Sequence, residues 1–141
     1  MGWGGGFYFN LKMNAMKKAL LIDVVAKTIT EVQVGHYSDI YKHIGNDCGT
    51  FAVPVEFENG DSIFVDDEGL LKEVHGGFLM KDFKYPLCGN AVILGQDEEG
   101  ESADYKSNIE EIKRGVIFVT KEYAQAWQEK ALNTPPTIIS F

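Results

Sequence analysis

The chain has 141 residues, 45% of them apolar, and a formal net charge of −8 at pH 7, which fits one acidic globular domain with a real core. No apolar run exceeds four residues, whereas a membrane-spanning helix needs about 20, and the first residues lack the basic and apolar regions of a secretory signal. Two cysteines far apart, Cys48 and Cys88, do not make a disulfide scaffold, so a cytoplasmic protein with free thiols is expected.

Residues 1–15 stand apart, with four Gly among the first six. They form either a flexible leader, or a strand added to the sheet through Phe7, Phe9 and Leu11, which alternate at period two. The domain proper spans 16–141. The run Ala19-Leu20-Leu21-Ile22-Asp23-Val24-Val25 has the length and β-branching of a buried strand. Thr28-Ile29-Thr30-Glu31-Val32-Gln33-Val34 predicts a second strand, joined to the first by a hairpin at Val25-Ala26. Ser38 is placed to cap a short helix with Ile40, Tyr41 and Ile44 on one face, which Gly45-Asn46 ends. Phe51, Val53, Val55 and Phe57 alternate strictly, and Asn59-Gly60 and then Ile63-Phe64-Val65 follow; this is the strongest hairpin signal in the chain.

Asp66-Asp67-Glu68-Gly69 reads as a turn leading to Leu70-Leu71, and Gly76-Gly77 breaks the chain again. Beyond Pro86, Ala91-Val92-Ile93-Leu94 predicts an interior strand, and residues 96–106 an acidic, Gly-punctuated loop. Ser107-Asn108-Ile109-Glu110 has capping-box spacing and opens a helix that Arg114-Gly115 stops. Val116-Ile117-Phe118-Val119 is a strand. Thr120 caps a last helix in which Tyr123, Trp127 and Ala131 repeat at i, i+4 and i+8, before Pro135-Pro136. These elements add up to an α+β fold, a mixed, mainly antiparallel sheet with two or three short helices packed on it.

A catalytic signature is missing from this pattern. No serine sits in a Gly-x-Ser-x-Gly elbow, and neither cysteine has the neighbours of a catalytic thiol. His36, His43 and His75 have no metal-ligand spacing. The glycines at 2 and 4–6 follow no strand and precede no Lys-Ser/Thr pair, so they make no phosphate loop. The acids of 97–101 offer oxygen ligands but not the alternating spacing of a calcium loop. The expectation is a protein that is not an enzyme, with no catalytic, cofactor-binding or metal-binding residues.

What the chain does have is segregated charge. Residues 56–68 hold six carboxylates and no Lys or Arg; residues 97–111 hold seven against Lys106 alone. The remainder is net positive, so the acidity belongs to two segments, and its consequence concerns partners. Clusters of this sign disfavour direct binding to nucleic acid.

Between Met16 and about Gly115, the runs Leu21-Ile22-Asp23, Asp67-Glu68-Gly69-Leu70 and above all Gly89-Asn90-Ala91-Val92-Ile93-Leu94-Gly95 carry a resemblance to a small family catalogued as domain of unknown function 3846. That last run leads into Asp97-Glu98-Glu99-Gly100-Glu101 and then Asn108-Ile109-Glu110. It implies the setting of a phage or plasmid, and no activity; the Gly-rich leader and the Trp127 helix depart from it.

Charge and resemblance together favour a non-enzymatic accessory protein of a mobile element. It would inhibit a host nucleic-acid-handling defence protein, of anti-CRISPR or anti-restriction type, by covering a basic surface in the host cytoplasm. The expected partner-binding residues are Asp97, Glu98, Glu99 and Glu101, with Asp66, Asp67 and Glu68. Two other readings stay open: a protein that sequesters a small ligand such as a signalling nucleotide, with Lys81, Lys84 and Tyr85 as contacts, or an oligomeric accessory protein using the Trp127 helix.

Overall fold

The computed structural model describes residues 16–45, 48, 49, 51–68, 73–81, 83 and 85–133. The expectations for 1–15, Asn46, Gly69, Leu70-Leu71, Lys84 and Pro135-Pro136 fall outside them.

Strand β1 (Lys17–Asp23) pairs with β2 (Thr28–Val34) in full register, Leu20 opposite Glu31. Their link is a four-residue turn, Val24 to Lys27. Asp23 Oδ1 accepts the N–H groups of Val25 and Ala26, both at 3.0 Å, and Lys27 takes the left-handed conformation at φ 59°. The side chain thus replaces the hydrogen bonds that a tight turn would otherwise lose.

Helix α1 (Tyr37–Ile44) follows. Its cap is His36, not Ser38: the Ser38 N–H donates to His36 Nδ1 at 3.2 Å. Asp39 Oδ2 accepts the N–H groups of Gly35 at 2.8 Å and His36 at 3.0 Å. The other end closes on Gly45, at φ 72°, whose N–H donates to the Tyr41 carbonyl. Ile40 and Ile44 are buried, which is the amphipathic face the sequence indicates.

Strands β3 (Phe51–Glu56) and β4 (Ser62–Asp66) form the predicted hairpin, but β3 is bulged between Ala52 and Val55. The extra residue resets the alternation. Phe51 packs on one side of the sheet, Val55 and Phe57 on the other, and Val53 is left exposed. Pro54 lies in this bulge and on an edge strand, where a missing N–H is tolerated. The central strand is β7 (Ala91–Gln96), between β1 and β4, with Ile93 opposite both Leu20 and Ile63. The order is β2-β1-β7-β4-β3, and β8 (Ser102–Ala103) adds to the end of β7. Residues 96–106 are therefore a hairpin rather than a plain loop.

A second sheet holds β5 (Gly77–Met80) between β6 (Leu87–Cys88) and β9 (Val116–Val119). Two more helices, α2 (Ile109–Gly115) and α3 (Lys121–Asn133), flank β9 in sequence. The large sheet is buried on both faces, and period-two alternation sorts its side chains. Leu20, Ile22, Ile63, Val65, Ala91 and Ile93 join Phe78, Met80 and Val116 of the small sheet. Ala19, Val92 and Leu94 turn the other way and meet Ile40 and Ile44 of α1. A continuous apolar run such as Ala91 to Leu94 is what burial on both faces requires. A Cβ on Gly77 would stand 3.4 Å from the Ala124 Cβ, so α3 covers the far face of the small sheet. The layers run α1, large sheet, small sheet, α3. The fold is α+β with antiparallel pairing throughout the described strands. No helix among the described residues is long and apolar enough to cross a membrane.

Candidate functional site

β7 and β4 run antiparallel, Val65 beside Ala91 and Ser62 beside Leu94, and this register fixes where the acids lie. Asp66, one residue past Val65, sits beside Asn90; Asp97 follows the last residue of β7. The six residues of β7 separate Asn90 from Asp97, roughly 20 Å at the usual rise. The sheet therefore carries Asp66, Asp67 and Glu68 at one end and Asp97, Glu98, Glu99 and Glu101 at the other.

The second end gathers further acids. Glu56 is opposite Ser62, at the Leu94 end of β4, and leads through Phe57 into exposed Glu58. Asn59, Gln96, Asp97, Glu98, Asp104 and Lys106 border one shallow depression with Lys17. Glu56, Glu58, Asp97, Glu98, Glu99, Glu101 and Asp104 thus share this end with Lys17, Lys18 and Lys106. Of the two sequence segments, residues 97–104 of the later one and the start of the earlier one come together; Asp66, Asp67 and Glu68 do not join them.

A buried carboxylate holds the end together. Asp61 has no exposed surface. Its side chain accepts the Lys106 N–H at 2.9 and 3.0 Å, the Ser107 N–H at 2.8 Å and the Ser107 hydroxyl at 2.6 Å. Its main chain closes the β3–β4 turn: the Phe57 N–H donates to the Asp61 carbonyl, and the Asp61 N–H to Asn59 Oδ1. Asn59 Nδ2 in turn donates to Ser107 Oγ at 3.1 Å. A buried charge persists only when its lone pairs are satisfied, and here the donors come from a loop about 45 residues downstream. Asp61 is therefore a staple between two acidic loops rather than a contact residue. Ser107, in serving Asp61, leaves the α2 cap to Asn108, whose Oδ1 accepts from Glu110 and Glu111.

The tip itself is a tight turn. The Asp97 N–H donates to the Glu101 carbonyl and the Gly100 N–H to the Asp97 carbonyl. Asp97 Oδ1 accepts from the N–H groups of Glu99 and Glu101, each at 2.9 Å. Gly100 has φ 86°, a conformation that favours glycine. Behind the tip, a Cβ on Gly95 would collide with the Asp104 carbonyl oxygen, so β7 and β8 approach this closely only because residue 95 is glycine. The carboxylates of Asp97, Glu99 and Glu101 lie within 4.8 Å of one another; these three residues have the donor set and spacing to hold a hard cation. Asp104 Oδ1 accepts the Lys18 N–H at 2.9 Å, and the Tyr105 N–H donates to the Lys18 carbonyl, tying the loop to β1. The Tyr105 hydroxyl donates to Glu31 Oε1 at 2.7 Å. That bond first, and burial second, raise the phenol's pKa above its ordinary value.

At the opposite end, Asp66 Oδ1 accepts the Glu68 N–H at 2.9 Å. Asp66 lines a small cavity of ≈ 220 Å³ with Val24, Glu73, His75, Cys88 and Asn90. Cys88 and Cys48 are both free thiols, and desolvation raises the Cys88 pKa, the reverse of what a nucleophile needs. Trp127 stacks on Tyr85 with ring centroids 5.0 Å apart and is half-buried, while Tyr123 of the same predicted stripe is 51% exposed. The face of α3 that packs inward carries Ala124 and Ala131.

No curated protein and no solved structure matches the chain. A family model described as a domain of unknown function (DUF3846) matches residues 16–117. The match takes in both acidic turns, Asp61 with the loop it holds, and every element up to β9, while α3 lies beyond it. The chain belongs to this family, the domain of unknown function 3846.

Proposed function

We propose that the protein is a non-catalytic accessory protein of a phage or other mobile element. It works in the host cytoplasm by laying its acidic end on the basic surface of a nucleic-acid-handling defence protein. The observation that carries this reading is the convergence of the β3–β4 and β7–β8 turns at one end of the sheet, with exposed Glu56, Glu58, Asp97, Glu98, Glu99 and Asp104 around a buried staple. A fixed array of carboxylates is complementary to a groove of Lys and Arg built for phosphates, and such complementarity speeds encounter by about 10–10³-fold at low salt. Asp66, Asp67 and Glu68 are excluded from the contact. At roughly 20 Å they lie more than two screening lengths away at physiological salt, so the two ends act separately.

The test is capture from host lysate with mass spectrometry, using wild type and the variant Asp97→Asn/Glu98→Gln/Glu99→Gln/Glu101→Gln. Wild type should retain a basic nucleic-acid-binding protein that the variant loses. Identical retention by both sinks the reading.

A further inference from the structure

A cationic groove runs along the flank of this acidic molecule. It has a volume of ≈ 660 Å³ and lies between α2 and the β3–β4 turn. That is within the range of about 300–1,000 Å³ usual for small-molecule sites. Phe57, Met80 and Ile112 supply apolar wall, and Lys81, Lys106 and Arg114 supply positive charge against Glu111. In a chain of net charge −8, a concave site with this balance runs against the average.

The cations are brought together by main chain. The Lys81 N–H donates to the Gly115 carbonyl at 2.8 Å, so the residue after Arg114 is bonded to Lys81. Gly115 has no side chain to fill the gap; a Cβ there would stand 3.4 Å from the Lys81 Cβ. Among the described residues, neither the Lys81 ammonium nor the Arg114 guanidinium has an ion-pair or hydrogen-bond partner. The Lys106 ammonium donates to the Gln96 carbonyl at 2.6 Å. Two cations lining one groove suit a phosphate, which Arg engages through paired N–H groups. The half-buried ring of Phe57, opposite Ile112 of α2, suits a flat apolar ring.

We infer that this groove binds a small phosphate-bearing ligand with an aromatic ring, the chemistry of a mononucleotide. The experiment is a titration of the isotope-labelled full chain with adenosine monophosphate and, separately, inorganic phosphate, followed by the backbone amide resonances. Adenosine monophosphate should saturably shift the amides of Lys81, Ser107, Arg114 and Gly115 and bind more tightly than phosphate. Lys81→Gln/Arg114→Gln, both exposed positions, should weaken it by about tenfold or more while leaving the rest of the spectrum in place. Three results would overturn the inference: no saturable shift at those amides up to about 10 mM of either probe, equal affinity for the two probes, or unchanged affinity in the double variant.

Discussion

Asp61 shows how one side chain can decide the character of a surface it does not touch. It belongs by position to the first acidic segment, yet it is wholly buried and takes three donors from Lys106 and Ser107. Removing it leaves those donors without acceptors inside the fold. Asp61→Ala should therefore cost about 3 kcal/mol, read from urea denaturation, and the amides of Lys106 and Ser107 should lose their protection from hydrogen exchange. Nothing in the local sequence separates Asp61 from its exposed neighbours, since its partners lie about 45 residues away. Asp39 is the second residue whose role is structural. The N–H of Gly35 above all, then that of His36 with nearby Lys42 and His43, hold its carboxyl below the ordinary value, against an opposing effect of burial. A depressed carboxyl stabilises the fold above the unfolded value, about pH 4, and that contribution is lost as the pH falls through the lower folded value. Asp39→Asn should lower stability by about 1 kcal/mol at neutral pH and narrow the gap to wild type in acid, measured as urea midpoints across pH.

The elements were legible wherever a periodic pattern met a standard turn. The β1–β2 pair, the β3–β4 hairpin, the interior strand at Ala91 and the helix after Thr120 all follow from alternation, Asn-Gly or a capping residue. What escaped the pattern has physical causes. The bulge across Val53 and Pro54 turns a strict alternation into a change of face. Strand β5 is hidden behind Gly76-Gly77, which reads as a break. Gly77 pairs with Cys88 and Val119, and this strand position is glycine because a Cβ there would stand 2.7 Å from the Leu87 carbonyl oxygen. The two-residue strand β8 is too short to show any period. Close backbone approach recurs at Gly95, where a Cβ would meet the Asp104 carbonyl oxygen. Gly95→Ala must push β8 away from β7, which should cost about 2 kcal/mol or more. Thermal denaturation measures that loss, and the amides of Glu99 and Glu101 should broaden or shift as the turn loosens.

For the whole molecule, the register of β4 on β7 matters more than the net charge. The sequence shows two acidic segments; it takes the register to place Asp66, Asp67 and Glu68 at one end of the sheet and the 97–101 turn, with Glu56 and Glu58, at the other. The two acidic segments were legible in composition, while their grouping was beyond the reach of composition or spacing. The grouping also makes the two ends separable by mutation. The direct test is the affinity of the captured partner from about 50 to about 500 mM salt for three proteins. These are wild type, the Asp97→Asn/Glu98→Gln/Glu99→Gln/Glu101→Gln variant, and Asp66→Asn/Asp67→Asn/Glu68→Gln. Asparagine at 97 and 66 keeps an acceptor oxygen for each turn, and exposed charges add little stability, so all three should melt at nearly the same temperature. The account predicts that the four-residue variant binds weakly with a flattened salt dependence, while the three-residue variant matches wild type. Equal salt slopes for all three proteins, or a loss confined to the 66–68 variant, would contradict it.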